Sequence, residues 1–285
     1  YAITKGSLTY GSNYAETSVG TNLTIGKATL TVTAENKSKT YDGAVFSAFT
    51  VAYAGFVNSD TPSSLGGTLS YGGTAPGAIN ADSYTIIPSG YTSSNYAFTY
   101  VNGTLTIGTR PITITADAKS KTYGASDPAL TWQITSGGIV NGDTPTGSLT
   151  RVTGENAGSY AILQGSLTYG GNYSETYVGA NLTIGKAPLT IIADHKEKVY
   201  DGYTFGSFTV QVMGLVNGDE PADVLGLPHG LGFNLSVINA IDAGTYPINP
   251  GVDPEYRNPN YSYSFQNATL TIHRRALAVK AEDKQ

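Results

Sequence analysis

The chain has no cysteine, one methionine, one tryptophan and only three histidines among its 285 residues. Without cysteine there is neither a disulfide framework nor a thiolate metal site. His195, His229 and His273 lie far apart, and none shows the H-x-x-x-H spacing that puts two ligands on one metal. Charge is scarce too: Asp, Glu, Lys and Arg make up 13%, about half of the roughly 25% usual in soluble domains. The net charge is -5 with no Lys/Arg cluster, which excludes nucleic acid as a partner because neutralising phosphates takes a concentrated positive excess. No apolar run approaches the roughly 20 residues of a membrane helix, so this segment is not expected to insert into a membrane. The motifs G-x-S-x-G, G-x-x-x-x-G-K-S/T, G-x-G-x-x-G and D-x-D-x-D-G are missing. Hydrolase, nucleotide-binding and EF-hand chemistry therefore have no starting point, and we expect neither an enzyme nor a bound cofactor.

What is present in quantity is Gly (35), Tyr (21) and Thr. Thr, Tyr, Val and Ile suit a pleated, half-buried surface, and Gly supplies turn conformations closed to other residues, so strands and turns should dominate. The sequence also repeats itself. Y-A-I-T-K-G-S-L-T-Y from Tyr1 returns as Y-A-I-L-Q-G-S-L-T-Y from Tyr160, an offset of 159 residues, and K-T-Y-D-G at Lys39 returns as K-V-Y-D-G at Lys198. Inside that period lie four strand-like junctions beginning at Leu23, Leu105, Leu182 and Leu270, spaced 82, 77 and 88 residues apart. Two kinds of repeat alternate, one carrying Y-D-G (Tyr41, Asp42, Gly43; Tyr200, Asp201, Gly202), the other Y-G-A-S-D-P from Tyr123 and Gly124. The division expected is 1–26, the C-terminal part of a truncated repeat; 27–108, a Y-D-G repeat; 109–185, the other kind; 186–273, a second Y-D-G repeat; and 274–285, the start of another. Such a chain is expected to be a piece of a longer array.

Within each repeat, stretches such as L-T-V-T-A from Leu30 and I-T-I-T-A from Ile112 alternate with period 2, the pattern of strands with one buried face. Asn102-Gly103, Asn141-Gly142 and Asn217-Gly218 supply turns between them. The fold class expected is all-β: tandem small Ig-like β-sandwiches. A Gly/Asp-x-Tyr entry to a late strand marks Tyr84, Tyr160 and Tyr246 as candidates for a tyrosine corner. A β-grasp-like α+β repeat is the alternative, because V-N-G-D-E-P-A-D-V-L from Val216 can form one helical turn with Asp219 as N-cap. Successive repeats are joined by only two or three residues, with no Gly/Ser linker, so a stiff rod is expected, about 100 Å for three units.

The signature T-x-T-A-x-x-K-x-K-x-Y-D-G or Y-G-x-x-x-P, followed by V-N-G-D-x-P, A-G-x-Y-x-I, N-Y and a closing L-T-I, resembles the MBG and YDG repeat domains of large secreted bacterial adhesins, the filamentous-haemagglutinin-like exoproteins of two-partner secretion. The resemblance implies an extracellular, outer-membrane-associated setting and a structural stalk role in a surface or biofilm adhesin. It supplies no catalytic residues. The partners it implies are neighbouring repeats, and beyond them host or matrix glycans or other adhesin copies.

Three places allow a further property. The third repeat is about six residues longer than the first, around Ile238 to Asn260, and its Tyr256, Tyr261 and Tyr263 could stack on a sugar, which makes a carbohydrate- or matrix-binding module the alternative function. A calcium ion could sit near Asp42 or Asp201. Eight N-x-S/T sequons occur, at Asn22, Asn36, Asn102, Asn172, Asn181, Asn234, Asn260 and Asn267.

Overall fold

The structure is a computed structural model that describes residues 1–281; the last four residues of the expected final repeat start, 282–285, lie outside the described residues. The chain divides into two compact units. One takes Tyr1–Ile112, Gly137–Thr144 and Tyr169–Glu175, the other Thr113–Ser136, Pro145–Thr168 and Thr176–Gln285. The second repeat is thus shared, with its loop 137–144 and the segment 169–175 belonging to the unit of the first repeat.

The first repeat shows how the pattern folds. In Ala28–Ala34 the side chains of Leu30, Val32 and Ala34 are buried, while Thr29, Thr31 and Thr33 point away. Burying each of the two larger ones contributes about 1.5–3 kcal/mol. This strand runs antiparallel to Val51–Ala54 and parallel to Tyr96–Val101 in a three-stranded sheet. At Glu35-Asn36 the chain crosses over, and Lys37–Thr40 joins a second sheet, parallel to Gly103–Gly108. Asp82–Thr92 pairs antiparallel with that strand and with the edge strand Gly66–Gly73. Leu30 and Val32 of one sheet share a cluster with Tyr96, against which Tyr91 of the other sheet packs. The same strand orders recur in the second repeat, and in the third with one strand fewer in the second sheet. The architecture is all-β, tandem Ig-like sandwiches, as the alternation of Thr with Leu, Ile and Val indicates.

Two details fix the corners. Tyr84, Tyr160 and Tyr246 donate their phenol hydrogens to the carbonyls four residues back, Asn80, Asn156 and Asp242, at 2.9, 2.8 and 3.0 Å. This is tyrosine-corner geometry, and it pins the loop entering each late strand. The Asp of Y-D-G closes its own turn: Asp42 accepts from Lys39 Nζ at 2.5 Å and from the Ala44 amide at 2.9 Å, and Asp201 does the same with Lys198 and Tyr203. In the second repeat Asp127 takes that lysine's equivalent, Lys121, at 2.7 Å, together with Arg151.

The β-grasp alternative does not hold. α-Helix in the third repeat is confined to Pro221–Leu225 and Leu235–Ile238, too short to lie across a sheet, and the strands close a sandwich without it. Glu220, not Asp219, is the N-cap of the first helix. Asp219 is engaged elsewhere, by the two phenols described below. The extra residues of the third repeat replace the long edge strand of the first with these helical turns and a separate pair, Leu231–Phe233 with Pro250–Val252. Residues 1–26 form one short pair, Ala2–Ile3 with Thr21–Asn22, in the register that Ala161-Ile162 and Ala180-Asn181 keep in the second repeat.

Candidate functional site at the repeat junctions

V-N-G-D places a carboxylate, Asp143 or Asp219, at the end of the second and third repeats that faces the preceding one. Asn141 and Gly142 both have positive φ (53° and 69°), as do Asn217 and Gly218 (61° and 78°). Each pair is the centre of a tight turn closed by the Asp amide: Asp143 N–H donates to Val140 O and Asp219 N–H to Val216 O, at 3.0 and 3.1 Å. Such turns suit Asn-Gly, since Asn tolerates the left-handed region and Gly is indifferent to it.

At the first junction, within the first unit, Asp143 Oδ2 accepts two phenols. Tyr41 of the preceding repeat donates at 2.9 Å and Tyr173 of its own repeat at 2.8 Å. The rings meet edge to face, 5.6 Å apart at 80°, a favoured arrangement worth about 0.5–1.5 kcal/mol beyond area burial. Beside them, Asn172 Oδ1 accepts the Ala81 amide at 2.8 Å and its Nδ2 donates to Asn80 Oδ1 at 3.1 Å. Asn141 Nδ2 donates to Gly43 O at 2.9 Å.

The second junction, within the second unit, repeats the phenol, carboxylate and Asn-amide contacts, except that Asn217 Nδ2 donates to the Tyr123 hydroxyl at 3.1 Å where Asn141 donates to a backbone carbonyl. Asp219 Oδ2 accepts Tyr123 at 3.1 Å and Tyr261 at 2.8 Å. The rings stand 5.5 Å apart at 80°. Asn260 Oδ1 accepts the Ala157 amide at 2.8 Å, and its Nδ2 donates to Asn156 Oδ1 at 3.0 Å. Burial is the main cause that pushes the Tyr261 phenol up to about 12, with Asp219 adding to it. Tyr41 and Tyr173 are raised for the same reasons, burial first and Asp143 next.

The glycine after each junction tyrosine is required by space as well as by conformation. A Cβ on Gly124 would lie 2.6 Å from the Val216 side chain, and one on Gly43 would collide with Asn141. Both have positive φ, +83° and +73°. So Tyr41, Gly43, Tyr123 and Gly124 form contacts between repeats, while Asp42 serves the turn that presents them. Sequence reading singled out these tyrosines and glycines but not Asp143, Asp219, Asn172 or Asn260 as their partners. The signal was there, in polar residues that recur at one position of each repeat where a solvent-exposed loop would have been free to vary.

The three tyrosines considered for sugar stacking separate. Tyr261 is buried in the junction. Tyr263 donates to Val224 O at 2.7 Å and lies under Arg257, 5.4 Å from its ring centre. Tyr256 is exposed, at the end of the turn Pro254–Tyr256. A cleft of about 450 Å³ nearby is lined by His229, Phe233, Asn234 and Asn249. Among the described residues no group of three or more His, Asp or Glu is placed to hold a metal ion. His195 Nδ1 is engaged by Thr269, and His273 faces Glu197 at 3.2 Å. Of the sequon asparagines, Asn172 and Asn260 have both ends of the amide committed to the junction.

Fold and junctions together define a tandem array of Ig-like sandwiches joined by a shared phenol–carboxylate–amide contact. The chain belongs to the MBG domain family, YGX type, which it matches at residues 30–106, 112–183 and 189–271. The family thus takes in the Y-D-G repeats along with the Y-G-A-S-D-P one, consistent with the junction tyrosine being common to both while the glycine moves from two residues after it (Gly43) to one (Gly124) and the lysine-binding carboxylate changes place. Among solved structures the chain is similar to a cell surface adhesin from Lactobacillus reuteri, at 23% identity over 32% of this chain and 99% of that one, with a TM-score of 0.22. It is also similar to the N-terminal four Ig domains of Dscam1 isoform 9.44, at 12% identity over 86% and 72% of the two chains, with a TM-score of 0.27. No curated protein matches it.

Two outcomes follow from the junction geometry. Gly124→Ala should cost about 1–3 kcal/mol more than Gly202→Ala in denaturant unfolding, because both place a side chain at +83° but only the former strikes a neighbouring repeat. Equal losses would contradict the junction. For Tyr41, Tyr173 and Tyr261 the folded pKa lies above the ordinary value of about 10, so their contribution is complete below pH ~10 and is lost as pH rises through about 12 at Tyr261. Absorbance titration at alkaline pH should show buried tyrosines ionising after the exposed ones and together with loss of the β-sheet circular dichroism; a single wave near pH 10 with the sheet intact would contradict this.

Proposed function

We propose that the chain is a run of structural spacer repeats of a bacterial cell-surface adhesin, exported and associated with the outer membrane, that carries a distal adhesive region without chemistry of its own. The observation behind this reading is the junction. Of the recurring polar and aromatic residues, Tyr41 and Tyr123 with Asp143, Asp219, Asn172 and Asn260 are spent on holding one repeat to the next rather than gathered into a pocket. A spacer needs its units fixed to one another through specific contacts, and buried hydrogen-bonded groups supply them, since breaking one partner leaves the other unsatisfied at about 1–3 kcal/mol. Membership of the MBG family, together with the resemblance of the motif set to repeats of large secreted adhesins, supports the cell-surface setting.

A second reading, a carbohydrate- or matrix-binding module, is favoured by one feature: the longer third repeat adds elements that build the cleft at Phe233 and Asn249, with Tyr256 exposed nearby. Binding of the folded chain to a glycan array and to immobilised matrix proteins separates the two. The spacer reading predicts no saturable binding. A glycan bound saturably, and lost on Phe233→Ala or Tyr256→Ala, would replace it with the second reading.

A further inference from the structure

The first repeat closes its core differently from the other two. The residue facing Val32 across the sheet is Tyr53, where Ile114 faces Ile134 and Ile191 faces Val212. An aliphatic side chain therefore suffices at this position, and a phenol adds a hydroxyl that has to be satisfied in a partly buried place. Its partner is Tyr91, on Asp82–Thr92 of the opposite sheet. The two hydroxyl oxygens lie 2.6 Å apart, with the ring centres 6.0 Å apart and the ring planes at 52°. Neighbours hold both rings: Phe56 packs on Tyr53 at 5.6 Å, Phe98 stacks on Tyr91 at 6.1 Å and 22°, and the Tyr91 amide donates to the Tyr100 hydroxyl at 3.0 Å.

Two phenols joined ortho to ortho keep their hydroxyls within hydrogen-bond reach and their rings twisted about the new bond, neither coplanar nor perpendicular. Tyr53 and Tyr91 already share that hydroxyl contact and that twist, and their rings have only to draw together. The junction pairs are arranged otherwise. Tyr41 with Tyr173, and Tyr123 with Tyr261, stand edge to face at 80°, with their hydroxyls on a carboxylate rather than on each other. Those four are buried, whereas Tyr53 and Tyr91 are only partly so, which leaves them open to a small oxidant.

We propose that Tyr53 and Tyr91 are an oxidative cross-linking site, a covalent staple between the two sheets of the first repeat. The co-reactant is a peroxide-driven one-electron oxidant, such as a haem peroxidase with hydrogen peroxide. Each phenol gives up its hydroxyl hydrogen as a proton and an electron. The two phenoxyl radicals couple at one ortho carbon (Cε) of each ring to form a C–C bond, and the hydrogens on those carbons move to the oxygens, restoring two phenols. Two hydrogens leave the protein, and one hydrogen peroxide is reduced to two waters. The bond joins residues 38 apart in sequence, so it removes freedom from the unfolded chain. It ties Val51–Ala54 of one sheet to Asp82–Thr92 of the other, the place an inter-sheet disulfide takes in sandwiches that have cysteine. The site is independent of the choice between spacer and binding module.

The test treats the whole chain, dilute, with a haem peroxidase and hydrogen peroxide until Tyr203, which is 76% exposed, has reacted. Molecules that remain single chains are then digested and analysed by mass spectrometry. A peptide pair joining Tyr53 to Tyr91, lighter than its two parts by two hydrogens, is expected, together with a higher denaturant midpoint than that of the untreated chain. Tyr53→Phe and Tyr91→Phe each keep the ring and remove one hydroxyl. Both should retain the β-sheet circular dichroism and yield no such pair. Single chains lacking the link after Tyr203 has reacted, links forming as readily at the junction pairs, or a linked chain that unfolds no later than the untreated one would each overturn the proposal.

Discussion

At each junction one carboxylate receives two phenols, one from either repeat, and much of the structure serves to bring those three groups together. The Asn-Gly turn lifts Asp143 or Asp219 to the repeat's end. The strand that begins with Asn-Tyr delivers the inner phenol, and the Lys–Asp closure of Y-D-G holds the loop from which the outer phenol of Tyr41 projects. A carboxylate drawn out of water is costly unless its oxygens are hydrogen-bonded, so the arrangement favours the joined state over one in which the outer phenol has withdrawn and the Asp keeps a single partner.

The amide pair beside it adds direction. Asn172 and Asn260 each accept a backbone N–H and donate to a side chain of the neighbour, and an amide can do both only in one orientation. Phenol, carboxylate and amide thus specify a registration of one repeat on the next, which apolar contact alone would leave loose. The division of the second repeat between two compact units has the same origin: its Val140–Asp143 turn and its Asn172-Tyr173 corner are engaged with the first repeat, its Tyr123 and Asn156-Ala157 loop with the third.

Much of the fold was legible in the sequence, for a physical reason. Leu30-Thr31-Val32-Thr33-Ala34 can bury only one face of a strand, and a Tyr two residues after Asp or Gly can reach the carbonyl four residues back. The third repeat was less legible. V-N-G-D-E-P promised a helix capped by Asp219, and local propensity alone would place it so, but a neighbour's phenol claims that carboxylate and the cap moves to Glu220. The partner residues of the junction were hidden for a related reason: Asp143 and Tyr41 are 102 residues apart, and no local pattern states that a turn residue in one repeat answers a tyrosine in another. Asn172 and Asn260 stood out in the sequence only as two of eight sequons, a pattern that says nothing of the amide each grips in the preceding repeat.

The most direct measurement is native-state amide hydrogen exchange at three equivalent alanines. Ala81 and Ala157 donate their N–H groups across the junctions, to Asn172 and Asn260, while Ala243 occupies the same loop position on the uncovered face of the third repeat. If the junctions hold the repeats together, Ala81 and Ala157 should exchange about 10- to 100-fold more slowly than Ala243 at dilute concentration, as an opening cost of about 1.4–2.8 kcal/mol requires. Exchange of all three at the rate of an open loop would contradict the account.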